Sequence, residues 1–317
     1  MEIPEALVRH LYGYDRTLPL LATCEPEPAI DLETRTPRTD IVRERVTFGS
    51  THDERVLATI VKPSGAGPFP AVIVQHGSTP SGRHRNVTAT PDNPNPVAVE
   101  WAASGLMTVV VDAYGFGSRE APDNRGRLTP GRPDLMFRTR DQRMQAIQDL
   151  MRTVDYLQSR DDVRADAIGY HGVSMGTRIG VPFVALDRRV KAASLFVGGS
   201  GDYSRFVTAG TDFADLAADE ELINQLTDPY TFAPWTGHVA KYVVNGEQDR
   251  TVRGREPAER LHSVMADPKE IHWYDGDHGD YAPYLPGALP LLKPPPGQPR
   301  HARGGQPAPA HRSIPRP

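Results

Sequence analysis

Short apolar runs alternate along the chain with stretches in which apolar residues recur every three or four positions. A continuous apolar run is typical of a strand covered on both faces, and the longer repeat indicates an amphipathic helix. The runs predict strands at 41–48, 56–61, 71–75, 106–111, 167–171, 190–197, 241–246 and 270–274. The repeats predict helices at 4–12, 95–103, 141–157, 174–185 and 256–265. This alternation predicts an α/β fold with a doubly wound, mostly parallel sheet.

Three segments depart from this rhythm and divide the chain into regions. Residues 1–40 contain a Pro-rich connector and are interpreted as an N-terminal extension on the surface of a central domain at 41–284. Residues 199–238 carry aromatic side chains among acidic residues and glycines, which indicates a lid inserted into that domain. Residues 285–317 hold ten of the 31 prolines and no acidic residue. Because such a composition cannot build a packed core, this tail is predicted to be disordered.

Composition narrows the classes of partner and compartment. The 36 Lys and Arg residues nearly balance the 40 Asp and Glu residues, for a net charge of −4, so neither nucleic acid nor an anionic membrane is expected as a partner. The single cysteine, Cys24, excludes an intramolecular disulfide, and there is no Cys/His zinc pattern. No apolar run approaches a membrane span and the start lacks a signal-peptide pattern, so we expect a cytoplasmic protein. The composition does not give the oligomeric state.

The best candidate for chemistry is the pentapeptide Gly172-Val173-Ser174-Met175-Gly176, which follows an apolar run and precedes a helical segment. A sharp strand-to-helix turn of this kind exposes a serine hydroxyl, and the flanking glycines let the chain double back without collision. The N–H groups at the start of the helix then face any oxyanion that forms there. Such a pentapeptide also occurs by chance in Gly-rich turns.

Two later loops provide the partners that a serine nucleophile needs. A serine hydroxyl requires a histidine to accept its proton and a carboxylate to orient that histidine. Asp249 follows one predicted strand and His278 follows the next, which gives the order Ser, Asp, His. Glu247 stays open as an alternative to Asp249. His76, at the end of another strand, is interpreted as a structural residue of its loop rather than as the base.

With these motifs the chain resembles the α/β-hydrolase superfamily, and its dienelactone hydrolase-like and acetyl-esterase-like serine hydrolases in particular, over about residues 41–282. The motifs that carry the resemblance are His76-Gly77, Asp112-x-Tyr114-Gly115-x-Gly117, Gly172-x-Ser174-x-Gly176, Gly246-x-x-Asp249 and Asp277-His278-Gly279.

The resemblance implies a role for each of several residues. Ser174 is the expected nucleophile, Asp249 the acid and His278 the base. The backbone N–H groups of Ser78 and Met175 are expected to form the oxyanion hole. Apart from the resemblance, the expected substrate-binding residues are Gly77 and Tyr114 in loops at strand ends, and Phe206 and Trp235 in the aromatic lid. No metal or organic cofactor is expected.

The chain departs from the pattern of these families at the elbow, in the length of its lid and after the catalytic histidine. Dienelactone hydrolases proper carry cysteine at the elbow, whereas this chain has Ser174, so its chemistry resembles ester hydrolysis more closely. Family members also close with a helix after the catalytic histidine, whereas here a Pro-rich sequence follows His278.

The sequence therefore predicts a serine esterase that cleaves a small-molecule carboxylic ester through an acyl-enzyme on Ser174. The aromatic lid suggests an apolar or aromatic ester as a hypothesis. Two alternatives stay open. One is an amidase or peptidase of the prolyl-oligopeptidase-like branch, and the other is a non-catalytic binding protein with the same fold.

Overall fold

The computed structural model of the chain describes residues 3–30, 36–121, 136–199, 225–252 and 254–293. Most of the predicted lid, including Phe206, lies outside these residues, as does the predicted tail beyond residue 293. None of the helices within the described ranges combines the length and apolar character needed to span a bilayer.

A mixed β-sheet forms the centre of the described structure. Its strands are β1 (Thr23–Glu27), β2 (Ile41–Gly49), β3 (Arg55–Pro63), β4 (Phe69–Gln75), β5 (Met107–Val111), β6 (Val163–Val173), β7 (Val190–Phe196), β8 (Ala240–Gly246) and β9 (Lys269–Tyr274). The spatial order is β1-β2-β3-β5-β4-β6-β7-β8-β9. The strands from β5 to β9 in this order pair in parallel, and β1, β2 and β3 join one edge in antiparallel pairs. The predicted fold class is confirmed.

Helices cover both faces of the sheet. They are α1 (Glu5–Leu11), α2 (His84–Val87), α3 (Val97–Ala103), α4 (Met136–Gln158), α5 (Met175–Leu186), α6 (Pro229–Phe232), α7 (Glu256–Val264) and α8 (Leu285–Leu292). One apolar cluster joins the sheet to α1, α4, α5, α6 and α7, and a second joins the opposite face to α3 and α8. The apolar runs at β4 and β5 are buried on both faces, as expected for inner strands of a parallel sheet.

The N-terminal segment is part of this fold rather than an extension on its surface. Val8 and Tyr12, four residues apart, lie on the buried face of α1. The Tyr12 hydroxyl donates to the Leu226 carbonyl at 2.8 Å, and the Tyr12 ring packs edge-on against Phe232. Strand β1 was not predicted, because it is polar and contains Pro26. Proline is tolerated there because β1 is an edge strand.

The C-terminal segment corrects a second expectation. The prolines of 285–317 predict coil, whereas Leu285–Leu292 forms helix α8. Pro286 lies in the first turn, where a missing N–H costs no helical hydrogen bond. Ala288 and Leu292, four residues apart, are fully buried against the sheet. The closing helix that seemed to be missing is therefore present.

Replacement of Leu292 by alanine tests whether α8 belongs to the core. We expect Leu292→Ala to lower the free energy of unfolding by about 2–4 kcal/mol, because it leaves a cavity at a fully buried position. Chemical denaturation measures this change. Leu291→Ala, at the half-buried neighbouring position, is the matched control and should lower it by less than about 1 kcal/mol. Equal effects of the two substitutions would contradict the packing described for α8.

Candidate active site

Ser174 lies at the sharp turn between β6 and α5, where the sequence places the elbow. Its φ of 56° and ψ of −112° lie in a region that residues with a side chain rarely adopt. The Ser174 N–H donates to the Phe196 carbonyl of β7 at 2.8 Å, which holds the strained residue against the sheet. The serine therefore sits at the carboxyl edge of the sheet, directly before the first turn of α5.

The two glycines of the pentapeptide are needed because the backbone passes so close to itself. A Cβ at Gly172 would lie 2.5 Å from the backbone of Gly176. A Cβ at Gly176 would collide with the Gln75 carbonyl of β4. The spacing of the motif thus follows from the packing of α5 against β4 and β6.

Asp249 and His278 form a hydrogen-bonded pair at the same edge of the sheet. The Asp249 carboxylate is fully buried and accepts the His278 Nδ1–H at 2.7 Å. Its other oxygen accepts the backbone N–H groups of Thr251 at 2.9 Å and Val252 at 3.0 Å. Because Nδ1 donates to a carboxylate, Nε2 of the neutral imidazole carries the lone pair that a general base needs.

The alternative acid, Glu247, has a different partner. Its exposed carboxylate pairs with Arg255 beside α7 at 2.8 Å. The structure therefore pairs His278 with Asp249 and not with Glu247.

The loop that carries His278 folds back toward the elbow. The Tyr281 ring packs edge-on against the Phe196 ring, with 5.7 Å between their centroids. The Phe196 carbonyl also accepts the Ser174 N–H. Phe196 thus connects the elbow to the histidine loop.

The loop after β4 lies against the nucleophile. A Cβ at Gly77 would be 3.4 Å from the Ser174 Cβ, and the Ser78 hydroxyl lies 3.6 Å from the Met175 sulfur. His76 is buried behind this loop, with Nδ1 2.6 Å from the Gly77 carbonyl. Its Nε2 accepts the Ala113 N–H at 3.1 Å. Burial lowers the pKa of His76, so the ring is neutral and structural, as the sequence indicates.

A buried ion pair connects the loops after β4 and β5. The Asp112 carboxylate accepts the backbone N–H groups of Arg83 at 2.7 Å and Ser118 at 3.0 Å, and it also pairs with the Arg83 guanidinium. Sequence analysis missed Arg83, because an arginine in a polar loop gives no local signal that it is buried.

Tyr114, a predicted substrate-binding residue, lies at the carboxyl edge of the sheet. It follows β5, its hydroxyl donates to Glu54 at 3.2 Å, and the Arg119 guanidinium lies 5.0 Å from its ring centroid. The half-buried ring is thus held at the edge of the sheet that carries Ser174.

Trp235 is placed differently from its prediction. It ends a short 3-10 helix, Ala233–Trp235, that precedes the amino end of β8, and its ring packs against Phe232. Because β6, β7 and β8 are parallel, this position is at the edge opposite Ser174. The prediction that Trp235 binds substrate is therefore corrected, and Phe206 lies outside the described residues.

The polar groups that the fold brings to the carboxyl edge include the side chains of Ser174, Asp249 and His278, which follow β6, β8 and β9. No group of three or more His, Cys, Asp or Glu side chains within the described ranges is arranged to hold a metal ion.

Replacement of Gly176 by alanine tests the packing at the elbow. We expect Gly176→Ala to lower the free energy of unfolding by about 1–3 kcal/mol and the predicted esterase activity by about 100-fold, because the added methyl group displaces the elbow. Gly279→Ala, where the added methyl group meets open space, is the matched control and should change activity by less than about twofold. Full activity in Gly176→Ala would contradict the described packing.

Comparisons with known proteins agree with this architecture. The family model described as Acetyl xylan esterase (AXE1) matches residues 14–226, more than half of the chain. Acetyl xylan esterase 1 from Thermoanaerobacterium sp. JW/SL YS485 is 17% identical with a TM-score of 0.64, and the match covers 92% of this chain and 98% of that one. Acetyl xylan esterase from Paenibacillus sp. R4 is 18% identical with a TM-score of 0.63, over 90% and 98% of the two chains.

A shorter match is found to YtaP of Bacillus subtilis (strain 168), which is named as a hydrolase. The identity is 29% over 160 residues, which is 49% of this chain. The match spans about half of YtaP, 52% of its length. The solved structures confirm the α/β-hydrolase fold, and the family match agrees with the predicted enzyme class, a carboxylic ester hydrolase. The chain belongs to the acetyl xylan esterase (AXE1) family.

Proposed function

We propose that the protein hydrolyses carboxylic esters by two-step acyl transfer, with Ser174 as nucleophile, His278 as general base and Asp249 as the orienting acid. The observation that carries this proposal is the 2.7 Å hydrogen bond between His278 Nδ1 and the buried Asp249 carboxylate. It lies at the sheet edge that also carries the strained elbow at Ser174. This arrangement supplies the residue types and order of a serine hydrolase triad.

In the first step, the Ser174 oxygen attacks the ester carbonyl carbon while Nε2 of His278 accepts the hydroxyl proton. The Asp249 carboxylate stabilises the imidazolium that forms. The carbonyl oxygen becomes an oxyanion, which accepts hydrogen bonds from the N–H groups of Ser78 and Met175. Met175 is the first residue of α5, so the helix dipole also favours this negative charge.

Collapse of the tetrahedral intermediate breaks the bond to the alcohol oxygen, which leaves with the proton held by His278. The acyl group remains on Ser174. A water molecule then loses a proton to His278 and attacks the acyl carbon, which releases the carboxylic acid and restores the serine. The proton that Ser174 gave up to the alcohol is replaced by a proton from water, which reaches the serine oxygen through His278, so each cycle consumes one water molecule and needs no other reagent.

Short acyl groups, acetyl in particular, are the proposed substrates. Both similar solved structures are named acetyl xylan esterases, which favours an acetylated carbohydrate as substrate. We propose that the acyl site is small and is bounded by the Gly77 backbone, which lies against Ser174, and by the side chain of Met175. The aromatic-ester hypothesis loses the support of Trp235, which lies at the opposite edge of the sheet.

Loss of the nucleophile tests the mechanism directly. We expect Ser174→Ala to lower kcat for an acetyl ester by about 10³-fold or more with the fold retained, because only the nucleophilic oxygen is removed. Intact-mass analysis after treatment with a fluorophosphonate should show one adduct on wild type, mapped to Ser174, and none on the variant. Ser263→Ala, at an exposed site on α7, is the control and should label normally. Unchanged turnover by Ser174→Ala would contradict the proposal.

The length of the acyl group tests the proposed substrate class. Among aryl esters with one leaving group, we expect kcat/KM to fall by about tenfold or more from acetyl to butyryl, because the added methylenes exceed the small site. Faster cleavage of long or aromatic acyl esters would favour the aromatic-ester hypothesis. Preferential cleavage of the matching anilides would favour the amidase alternative, and a folded protein inert toward all of them would favour a binding protein.

A further inference from the structure

The two loops that carry Asp249 and His278 stay paired beyond the ends of their strands. The Glu247 N–H donates to the Tyr274 carbonyl at 2.9 Å, and the Gln248 N–H donates to the Gly276 carbonyl at 3.0 Å. The parallel ladder of β8 and β9 therefore continues for two residues past Gly246. Beyond these two residues, the hydrogen-bond acceptor is a side-chain oxygen instead of a backbone carbonyl.

That side chain is Asp277, the residue directly before His278. Its Oδ1 accepts the N–H of Arg250 at 2.9 Å and the N–H of His278 at 2.8 Å. Arg250 directly follows Asp249. One oxygen atom of Asp277 thus accepts the backbone N–H of His278 and the backbone N–H of the residue that follows Asp249.

We infer that Asp277 is a positioning residue, whose carboxylate fixes the separation between the loops of Asp249 and His278 so that their side chains meet. This inference rests on the proposed function, because it assigns Asp277 a role in the same triad. The two loops are joined by two adjacent side-chain pairs. One is Asp249–His278, and the other is Arg250–Asp277, whose members adjoin the first pair along the chain.

The backbone of Asp277 is itself held in place. The hydroxyl of the buried Tyr274 donates to the Asp277 carbonyl at 2.8 Å, and the Asp277 N–H donates to the Asp280 carboxylate at 2.8 Å. These contacts fix the turn from behind. The position of Asp277 is therefore fixed, and its carboxylate in turn holds the loop that carries Asp249.

The two backbone hydrogen bonds are expected to matter more than the ion pair with Arg250. The Arg250 side chain is 87% exposed and that of Asp277 is 33% exposed, and exposed ion pairs contribute little. The N–H groups of Arg250 and His278 are also the main reason that the pKa of the Asp277 carboxyl is lowered to about 2. The acceptor is thus ionised throughout the range in which a neutral histidine can act as base.

Loss of these hydrogen bonds would act on the chemical step. The His278 loop would no longer be fixed relative to the buried Asp249, and a displacement of about 1 Å is enough to lower a rate by about 100-fold. Asp277 is not among the residues expected to bind substrate, so substrate affinity should change little. The expected signature is a lower kcat with an unchanged KM.

Four single variants distinguish the effect of the position of the acceptor oxygen on kcat from the effect of its negative charge. We expect Asp277→Ala to lower kcat by about 10–100-fold with KM within about twofold. Asp277→Asn keeps an oxygen for both N–H groups and should stay within about threefold of wild type, as should the matched control Arg250→Ala, which keeps its backbone N–H. Asp277→Glu keeps the charge but moves the oxygen by one methylene, so its kcat should be lower than that of Asp277→Asn. This comparison of conservative variants applies even if Asp277→Ala does not fold.

A double-mutant cycle tests whether Asp277 acts through the catalytic pair. In an Asp249→Ala background, adding Asp277→Ala should change kcat by less than about twofold, because the hydrogen bond that it supports is already lost. Multiplying effects would contradict the inference, as would wild-type kcat in Asp277→Ala or full rescue by glutamate but not asparagine. Ser174→Ala, measured in parallel, distinguishes the two proposals: if it is inactive while Asp277→Ala is normal, only this inference fails, and if it is active, the proposed function fails.

Discussion

The close approach of helix α5 to strand β6 is the constraint on which the site depends. The hydroxyl of Tyr170 in β6 donates to the Gly176 carbonyl in the first turn of α5 at 2.5 Å. A Cβ at Gly180, one turn later, would collide with the Tyr170 ring. Glycine at position 180 therefore lets the helix lie directly on the strand. Because the helix cannot move outward, the residue between them, Ser174, is kept in its strained conformation.

The loops around Ser174 are fixed by a shared device, a carboxylate that accepts two backbone N–H groups. Asp112 does this after β5, Asp249 after β8 and Asp277 after β9. A buried carboxylate such as that of Asp112 or Asp249 is costly unless its oxygens are satisfied, and backbone N–H groups provide part of that satisfaction. Each acid thereby fixes the local path of the chain. Asp249 has one oxygen left for His278.

The sequence predicts those features that depend on local pattern. Inner strands such as β4 and β5 are continuous apolar runs, and the elbow has a fixed glycine spacing, so both are recognised without tertiary information. The order of Ser174, Asp249 and His278 follows from loops at successive strand ends. In contrast, β1 and α8 contain prolines, which favour coil in the sequence pattern. Pro26 is tolerated at a sheet edge and Pro286 in a first helical turn, whereas Pro290 lies inside α8.

Features that depend on contacts between distant loops were not predictable in the same way. In the sequence, Arg83 is an ordinary polar loop residue and Asp277 is noted only as the neighbour of His278. The partners of both are set by the folded topology. Trp235 was misplaced for a related reason, because an aromatic residue in an irregular segment can belong to either edge of the sheet. The strand direction of β8, not the composition of the segment, decides which edge it occupies.

The contact between Tyr12 and Leu226 also bears on how the protein is made. The two residues are 214 positions apart, and the contacts of this segment with Leu186 and Phe232 likewise join residues that are distant in sequence. A helix of seven residues is not stable alone in water. During translation, α1 therefore leaves the ribosome well before the residues that it packs against have been synthesised. Its docking is a late event in folding, and until then Val8 and Tyr12 are exposed to chaperones and proteases.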